Sequence, residues 1–398
     1  MTCIVRLPLL GPRQKVLGYK LAWQATSGDS ASRPDLPMLA ATVARRFEGT
    51  DTAGNGSLIF LQAPPGRLAP DSLQGLTPAG TVLSLTAAEL DEPAVFAAVQ
   101  HLREQGFGLC VRELDLQPDP RPAWLPLLTH REFDWGGAAR ARQLPSSGEV
   151  AAAQPCLVAS GLAHPEEFQA CDALGVHAFV DPLLTAPVGA ADAARLSPES
   201  LLILQLMQMV QANADLRHIE SALKRDAALA YQLLRYLNSA SFGLGVEVQS
   251  LRHALTMVGY GPLHRWLAVL LAGSSAHPGS QALLVAAIVR GRFTELLGQG
   301  MLPQSDAENL FITGMFSLLD RLLGVPMASI LERIQLPETV VQALLTREGM
   351  YGPFLRLVEA CERSDGDAAA LADSAFLTGE QVDRAHVAAL AWSLELRV

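Results

Sequence analysis

Few residues in this sequence have the type and position needed for chemistry. Lys20, Arg112 and Glu113 lie within strand-like segments of the first half. Divalent cations such as magnesium need several oxygen ligands that converge on one point. One carboxylate beside two cationic side chains does not provide them, so we expect Glu113 to form an ion pair with Arg112 or Lys20. These residues therefore predict no metal centre.

The histidines and cysteines show none of the spacings typical of metal or catalytic sites. The nine histidines form neither an H-E-x-x-H nor an H-x-x-x-H pair, and no histidine is followed by aspartate. The five cysteines are far apart and include no C-x-x-C pair, which indicates reduced thiols. The sequence has no P-loop, G-x-G-x-x-G or G-x-S-x-G motif. We therefore predict no cofactor.

Composition and charge restrict the class of protein. The 398 residues are 49% hydrophobic and 18% charged, which excludes bulk disorder. The net charge of −10 offers little counterion release on nucleic acid, so bulk DNA or RNA binding is disfavoured. Apolar runs such as 266–272 and 283–289 are too short to cross a bilayer. We expect a soluble, cytoplasmic protein with no membrane contact.

Strand-like and helix-like patterns alternate over the first 186 residues. Helix-like segments such as 35–47 and 93–105 carry apolar residues at helical spacing. The strand-like segments are 16–23, 57–63, 81–86, 107–114, 155–162 and 178–184. This alternation predicts an α/β domain with a parallel sheet that is covered on both faces.

The pattern changes near residue 187. We predict a first domain over 1–186, a linker over 187–197 and a second domain over 198–398. Ser197 followed by Pro198 is typical of a helix start, and nearly all later segments have helical periodicity. We expect Asp226 to cap a helix that begins after it. The sequence thus predicts an all-α second domain.

Several spaced motifs follow one another in the helical half. They are Asp226-Ala227-Ala228-Leu229, Asn238-Ser239-Ala240 and Leu251-Arg252-His253-Ala254-Leu255. In this order they resemble the HDOD domain, an all-helical relative of the HD metal-dependent phosphohydrolases. The resemblance makes Asp226, Asn238 and Ser239 structural motif residues. It places Ser317 and Leu318 where the His-Asp pair would stand, and neither side chain can replace those metal ligands.

Polar residues of the first half also fall at ordered positions along its strand-like segments. Lys20 and Gln24 lie in or just after the first segment, and Arg112-Glu113 lies in the fourth. The order and spacing resemble the EAL domain of cyclic di-GMP phosphodiesterases, a TIM barrel. Lys20 and Gln24 then stand at the positions of a metal-binding glutamate and a substrate-contacting arginine. Arg112 and Glu113 stand at two aspartate positions, so the resemblance implies a degenerate EAL domain.

Chain length adds to this interpretation. A complete (β/α)₈ barrel takes roughly 200–250 residues, whereas the first half offers about 185. We therefore predict a reduced or incomplete TIM-barrel-like EAL domain followed by an all-helical HDOD domain. Bacterial signalling proteins have this domain order, which the resemblance extends to this chain.

The missing ligands lead to a functional prediction. We expect a non-catalytic signal-transduction protein, not an enzyme, that acts as a scaffold through contacts with regulatory protein partners. Candidate contact anchors are Trp23, Trp124, Trp135, Trp266 and Trp392. Two alternatives stay open. One is a cyclic di-GMP receptor that uses the degenerate EAL domain, and the other is a residual metal-dependent phosphohydrolase.

Overall fold

The computed structural model of the chain forms two compact units. The barrel unit comprises Met1–Pro187 and Leu357–Leu394, and the helical unit comprises Val188–Arg356 and Glu395–Val398. The structure describes residues 3–12, 14–24, 34–47, 57–112, 122–135, 155–162, 167, 170–171, 173, 175–180, 197–226, 229–233, 251–274, 280–334, 336–363 and 367–395.

Eight strands close into a barrel in the first unit. They are β1 (Ile4–Leu10), β2 (Val16–Trp23), β3 (Leu58–Gln62), β4 (Thr81–Thr86), β5 (Gly108–Arg112), β6 (His130–Asp134), β7 (Cys156–Ser160) and β8 (Ala178–Val180). β1 is antiparallel to β2 and β8, whereas the other neighbours are parallel. The predicted TIM-barrel-like fold is confirmed. Its sheet closes with eight strands, so the predicted reduction does not lie in the strand count.

The sequence pattern predicts neither β1 nor β6. β1 contains Pro8, and β6 has the polar sequence His-Arg-Glu-Phe-Asp. Both gain their extended form from the ladders on either side, which a local pattern does not show. A gap of about 40 residues separates the predicted strands 107–114 and 155–162. This is long for a single connection, so it indicates that a further element, β6, lies between them.

Apolar side chains fill the barrel interior. Leu9, Phe60, Val82, Cys110 and Val158 belong to one buried cluster. Because side chains two positions apart on a strand share a face, this cluster also defines which other positions point inward. Polar residues take several of the inward positions nearer the carboxyl ends of the strands, among them Gln62, Ser84 and Arg112.

The described helices are numbered in chain order. They are α1 (Leu36–Phe47), α2 (Ala87–Leu90), α3 (Pro93–Glu104), α4 (Pro198–Gln211), α5 (Leu216–Leu223), α6 (Leu251–Val258), α7 (Tyr260–Gly273), α8 (Ser280–Gly298), α9 (Gln304–Phe316), α10 (Leu319–Leu323), α11 (Met327–Leu331), α12 (Glu338–Thr346), α13 (Gly352–Ala360), α14 (Ala368–Ser374) and α15 (Gly379–Glu395). None of these described helices combines the length and apolarity needed to cross a membrane.

The carboxy-terminal segment Leu357–Leu394 belongs to the barrel unit, which corrects the predicted single domain over 198–398. Buried contacts with β1 hold it there. The Arg6 guanidinium pairs with Glu362 at 2.9 Å, and the Ile4 backbone N–H donates to Asp383 Oδ1 at 2.7 Å. Helical periodicity shows that a helix has an apolar face but not which core receives it. The predicted linker over 187–197 lies outside the described residues except for Ser197.

The helical unit matches the all-α prediction and its local helix signals. Ser197 accepts a hydrogen bond from the Ser200 backbone N–H at 3.0 Å, and Pro198 opens α4. Asp226 Oδ1 accepts from the Leu229 backbone N–H at 3.0 Å, which confirms its predicted capping role.

Candidate functional site

A buried ion pair lies inside the barrel. Lys20 Nζ donates to both Glu132 carboxylate oxygens, at 2.8 and 2.7 Å, and the two side chains are 5% and 7% exposed. Lys20 is in register with Phe60 and Glu132 with Val158, and both of those neighbours belong to the interior cluster. Both charged side chains therefore point into the barrel.

The ion pair determines what Glu132 can do. Two short bonds to one ammonium take up both of its oxygens, and removing either partner would leave a buried charge uncompensated. Glu132 is therefore held as the counter-ion of Lys20. The prediction had named Glu113 as the partner, but Glu113 lies outside the described residues.

A second cation stands at the carboxyl edge itself. Arg112 ends β5, and its guanidinium lies 3.8 Å from Glu89, with 16% of the side chain exposed. Glu89 is held in turn by a capping box, because it accepts from the Thr86 backbone N–H at 2.7 Å. Arg112 Nε is buried and has no hydrogen-bond partner among the described residues. This arginine thus brings a partly exposed cationic side chain to the edge where ligands of such barrels bind.

Gln24 has a supporting role. Its Oε1 accepts a hydrogen bond from the Ala368 backbone N–H at 2.9 Å, and the residue is buried. It therefore satisfies the first turn of α14 from the end of β2. The position that the resemblance gives to a substrate-contacting arginine is used here to hold the carboxy-terminal segment.

In the helical unit, a buried arginine from α8 bonds to the first residue at the predicted position of the His-Asp pair. Arg290 Nη1 donates to Ser317 Oγ at 2.7 Å, and Ser317 Oγ donates to the Gly314 carbonyl at 2.6 Å. Leu318 is 2% exposed and packs in the core. The motif residues Asn238 and Ser239 lie outside the described residues.

The described side chains do not fit a divalent cation. Across the parts of both units that the structure describes, no three histidine, cysteine, aspartate or glutamate side chains are grouped to hold a metal ion. Lys20 and Arg112 bring positive charge to the barrel position, and Arg290 brings it to the helical one. The acidic residues Glu113 and Asp115, which follow β5, are not among the described residues.

Sequence reasoning missed Glu132 and Glu89, the two carboxylates that hold the edge cations. Glu132 lies on an unpredicted strand, so its partner could not be assigned. Glu89 had a readable signal, since Thr86-Ala87-Ala88-Glu89 has the spacing of a capping box. Its contact with Arg112 depends on the parallel register of β4 and β5, which places Thr86 beside Arg112.

The helical unit also matches a known family. Residues 197–332 match the family model of the HDOD domain. This unit contains an HDOD domain. The match covers the described helices α4 to α11 and includes Asp226, Arg290 and Ser317.

Two curated proteins are similar to the chain. One is named cyclic di-GMP phosphodiesterase CdgJ, from Vibrio cholerae serotype O1, and is 26% identical over 376 residues, which cover 92% of this chain and 85% of the relative. The other is the uncharacterized protein YuxH of Bacillus subtilis, 26% identical over 190 residues, which cover 47% of this chain and 46% of that protein.

Solved EAL structures are similar to part of the chain. The EAL enzyme Bd1971, bound to cAMP and cyclic di-GMP, has a TM-score of 0.36 and 13% identity and covers 47% of this chain and 62% of that one. The EAL domain of Mycobacterium smegmatis DcpA has a TM-score of 0.35 and 14% identity and covers 47% of this chain and 93% of that one.

These relatives correct one prediction and support another. The prediction that the chain is not an enzyme is wrong, because the relative that aligns with 92% of it is named a cyclic di-GMP phosphodiesterase. That prediction rested on the positions where the family's metal ligands and substrate contacts are replaced, which are Lys20, Gln24, Arg112, Ser317 and Leu318. The predicted role in signal transduction is supported by the same relative.

Proposed function

We propose that this chain acts in cyclic di-GMP signalling and that its barrel takes cyclic di-GMP at the carboxyl edge. The alignment with the Vibrio cholerae phosphodiesterase carries the proposal, since it runs through both the barrel and the HDOD domain. Hydrolysis of the dinucleotide is part of the proposal and rests on the name of that relative. The described residues support its binding part.

Charge at the edge suits an anionic ligand. Arg112 is partly exposed, and its guanidinium has only a 3.8 Å contact with Glu89. Guanidinium groups bind phosphate through two parallel hydrogen bonds, and such charged bonds are stronger than neutral ones. Lys20 is fully paired by Glu132, so Arg112 is the described edge cation with bonding capacity left for a phosphate.

Binding and turnover can be measured on the full chain. We expect calorimetry to show cyclic di-GMP binding, and chromatography to show its conversion to the linear dinucleotide. Arg112→Gln should weaken binding by about tenfold or more, as expected for a lost charged hydrogen bond.

The matched control is Arg67→Gln, which changes an exposed arginine of the same unit. It should leave affinity unchanged. Absence of binding by the parent chain, or equal affinity of the parent and Arg112→Gln, would reject the proposed site. Binding without turnover would reject the hydrolytic part alone.

We propose, second, that the helical unit contacts a regulatory protein. Leu345 and Met350 of this unit are 51% and 53% exposed and flank Arg347 in the sequence, which has a left-handed backbone. Large exposed apolar side chains are candidates for such contacts. They are more exposed than the five tryptophans that the sequence suggests as anchors, each of which is buried or half-buried. Affinity capture from the native host should lose a specific partner when both residues are changed to serine, and capture unaffected by that change argues against this surface.

A further inference from the structure

The Arg112 guanidinium has a carboxylate beside it at the carboxyl edge of the barrel. Arg112 ends β5 in register with Thr86, which ends β4, and Glu89 follows three residues later in α2. The Glu89 Oε2 atom lies 3.8 Å from Arg112 Nη2, and the two side chains are 23% and 16% exposed. This pair therefore stands, partly buried, at the edge where the proposed function places a phosphate of the ligand.

A capping box fixes the position of the Glu89 carboxylate. Its Oε2 atom accepts hydrogen bonds from the Thr86 backbone N–H at 2.7 Å and from the Thr86 hydroxyl at 2.9 Å. The contact with Arg112 is too long for a hydrogen bond. A ligand can therefore bind the guanidinium without breaking any bond of Glu89, and the carboxylate stays in place beside that ligand.

Asp134 brings a second carboxylate to the carboxyl edge, but it is directed elsewhere. It ends β6, and its Oδ1 atom lies where a Cβ on Gly161, just after β7, would stand. Glu89 is therefore the carboxylate that the structure pairs with Arg112.

The two opposite charges change which phosphate the edge prefers. A phosphodiester carries one negative charge, whereas a terminal phosphate carries about 1.5 to 2 at pH 7. Coulomb attraction grows with the charge of the ligand, so a guanidinium without a counter-ion would favour the terminal phosphate. With Glu89 fixed beside Arg112, the additional negative charge gains about as much repulsion as attraction. Hydrogen bonding to the guanidinium, which both kinds of phosphate can accept, is then what holds the ligand.

We propose that Glu89 is a specificity-determining residue that keeps the barrel site from preferring terminal phosphates over phosphodiesters. The inference rests on the proposed binding of cyclic di-GMP, which contains two phosphodiesters and no terminal phosphate. Hydrolysis adds water across one P–O bond of this ring and gives a linear dinucleotide with a free hydroxyl and a terminal phosphate. Glu89 removes the advantage that Arg112 alone would give to that product.

Two linear dinucleotides isolate the effect of the terminal phosphate. They are guanylyl-guanosine with a 5′-phosphate and the same compound without it, and competition against cyclic di-GMP on the full chain measures both affinities. We expect the parent to bind the two within about threefold of each other. Glu89→Gln keeps the capping box but removes the opposing charge, so it should raise the preference for the phosphorylated form by about tenfold. Glu92→Gln, an exposed glutamate of the same unit, is the matched control and should keep the parent's preference.

Arg112→Gln is the complementary test, because it leaves the Glu89 charge unopposed. It should shift the preference by about tenfold toward the form without the phosphate. If thermal unfolding shows that Glu89→Gln does not fold, this shift relative to the parent decides.

The outcomes separate this inference from the proposed function. An unchanged preference in Glu89→Gln, or a parent that already prefers the phosphorylated dinucleotide by tenfold or more, would overturn the role of Glu89 and leave cyclic di-GMP binding intact. Absence of cyclic di-GMP binding by the parent would instead reject the proposed site, and the role of Glu89 with it.

Discussion

Two buried ion pairs lie on opposite faces of the barrel wall. Lys20 and Glu132 meet inside through two short bonds, whereas Arg6 and Glu362 meet outside through one bond of 2.9 Å, with the Arg6 guanidinium 5.5 Å above the Tyr19 ring. The outer pair joins strands to helices from the other end of the chain. The inner pair neutralises two opposite charges in the barrel interior. The same kind of ion pair thus holds the carboxy-terminal segment on the outer face and balances charge inside the barrel on the inner face.

Breaking the outer pair should have the largest effect. Glu362→Ala leaves the Arg6 guanidinium buried without its counter-ion, and we expect the free energy of unfolding to fall by about 3–5 kcal/mol. Urea unfolding measures this loss. Glu380→Ala, an exposed glutamate of the same unit, should change stability by less than about 0.5 kcal/mol. A small loss for Glu362→Ala would show that the carboxy-terminal segment does not depend on this pair.

Breaking the inner pair should cost somewhat less, because its side chains are 5% and 7% exposed against 2% for each side chain of the outer pair. Lys20→Met leaves the Glu132 carboxylate unpaired, and we expect a loss of about 3 kcal/mol. The double variant Lys20→Met with Glu132→Leu should recover most of it, since no charge then remains buried. Lys15→Met, at an exposed lysine, is the control. Equal stability of the single and double variants would contradict the role of Glu132 as a counter-ion.

A change in pH should further distinguish the outer face of the barrel from its interior, because the Asp383 carboxyl group on the outer face titrates. Burial raises the pKa of Asp383 from 3.8 to about 7, although the hydrogen bond from the Ile4 backbone N–H acts in the opposite direction. A raised pKa in the folded state gives stability that is fully present below about pH 4 and is lost as the pH rises to about 7.

Asp383→Asn removes this titration. Its unfolding free energy relative to the parent should therefore rise between pH 4 and pH 7 and level off above, by about 4 kcal/mol overall. Burial and Arg6 lower the pKa of nearby His386, so its effect on stability with pH is opposite to that of Asp383. His386 is present in both proteins, and its contribution to the free energy of unfolding cancels in their difference. Thermal or urea unfolding across this range measures the difference, and a pH-independent difference would exclude the raised pKa.

The sequence predicts the features that depend on local signals. The β4 range 81–86 agrees with the structure, the Ser197 helix start is found, and Asp226 caps as expected. Lys20 and Arg112 also lie where the sequence places them, in or at the end of their strands. Each of these follows from periodicity or capping chemistry within a few residues.

Features set by distant partners could not be read in this way. Glu132 faces Lys20 across 112 positions, and Glu362 faces Arg6 across 356. Such pairs depend on barrel closure and on which core receives the last helices, and neither is encoded in a local pattern. A cavity among α4, α7 and α9 likewise brings three separated helices together, so no single motif indicates it.

The outer pair has a consequence for synthesis of the chain. A ribosome releases β1 early, yet Asp383 and Glu362, which satisfy Ile4 and Arg6, emerge only after the whole HDOD segment has been made. Domains that are contiguous in sequence can finish folding as they emerge. This barrel stays unfinished until residues 357–394 have been made, and a fragment that stops at residue 186 would keep its first strand but lose the helices that shelter it.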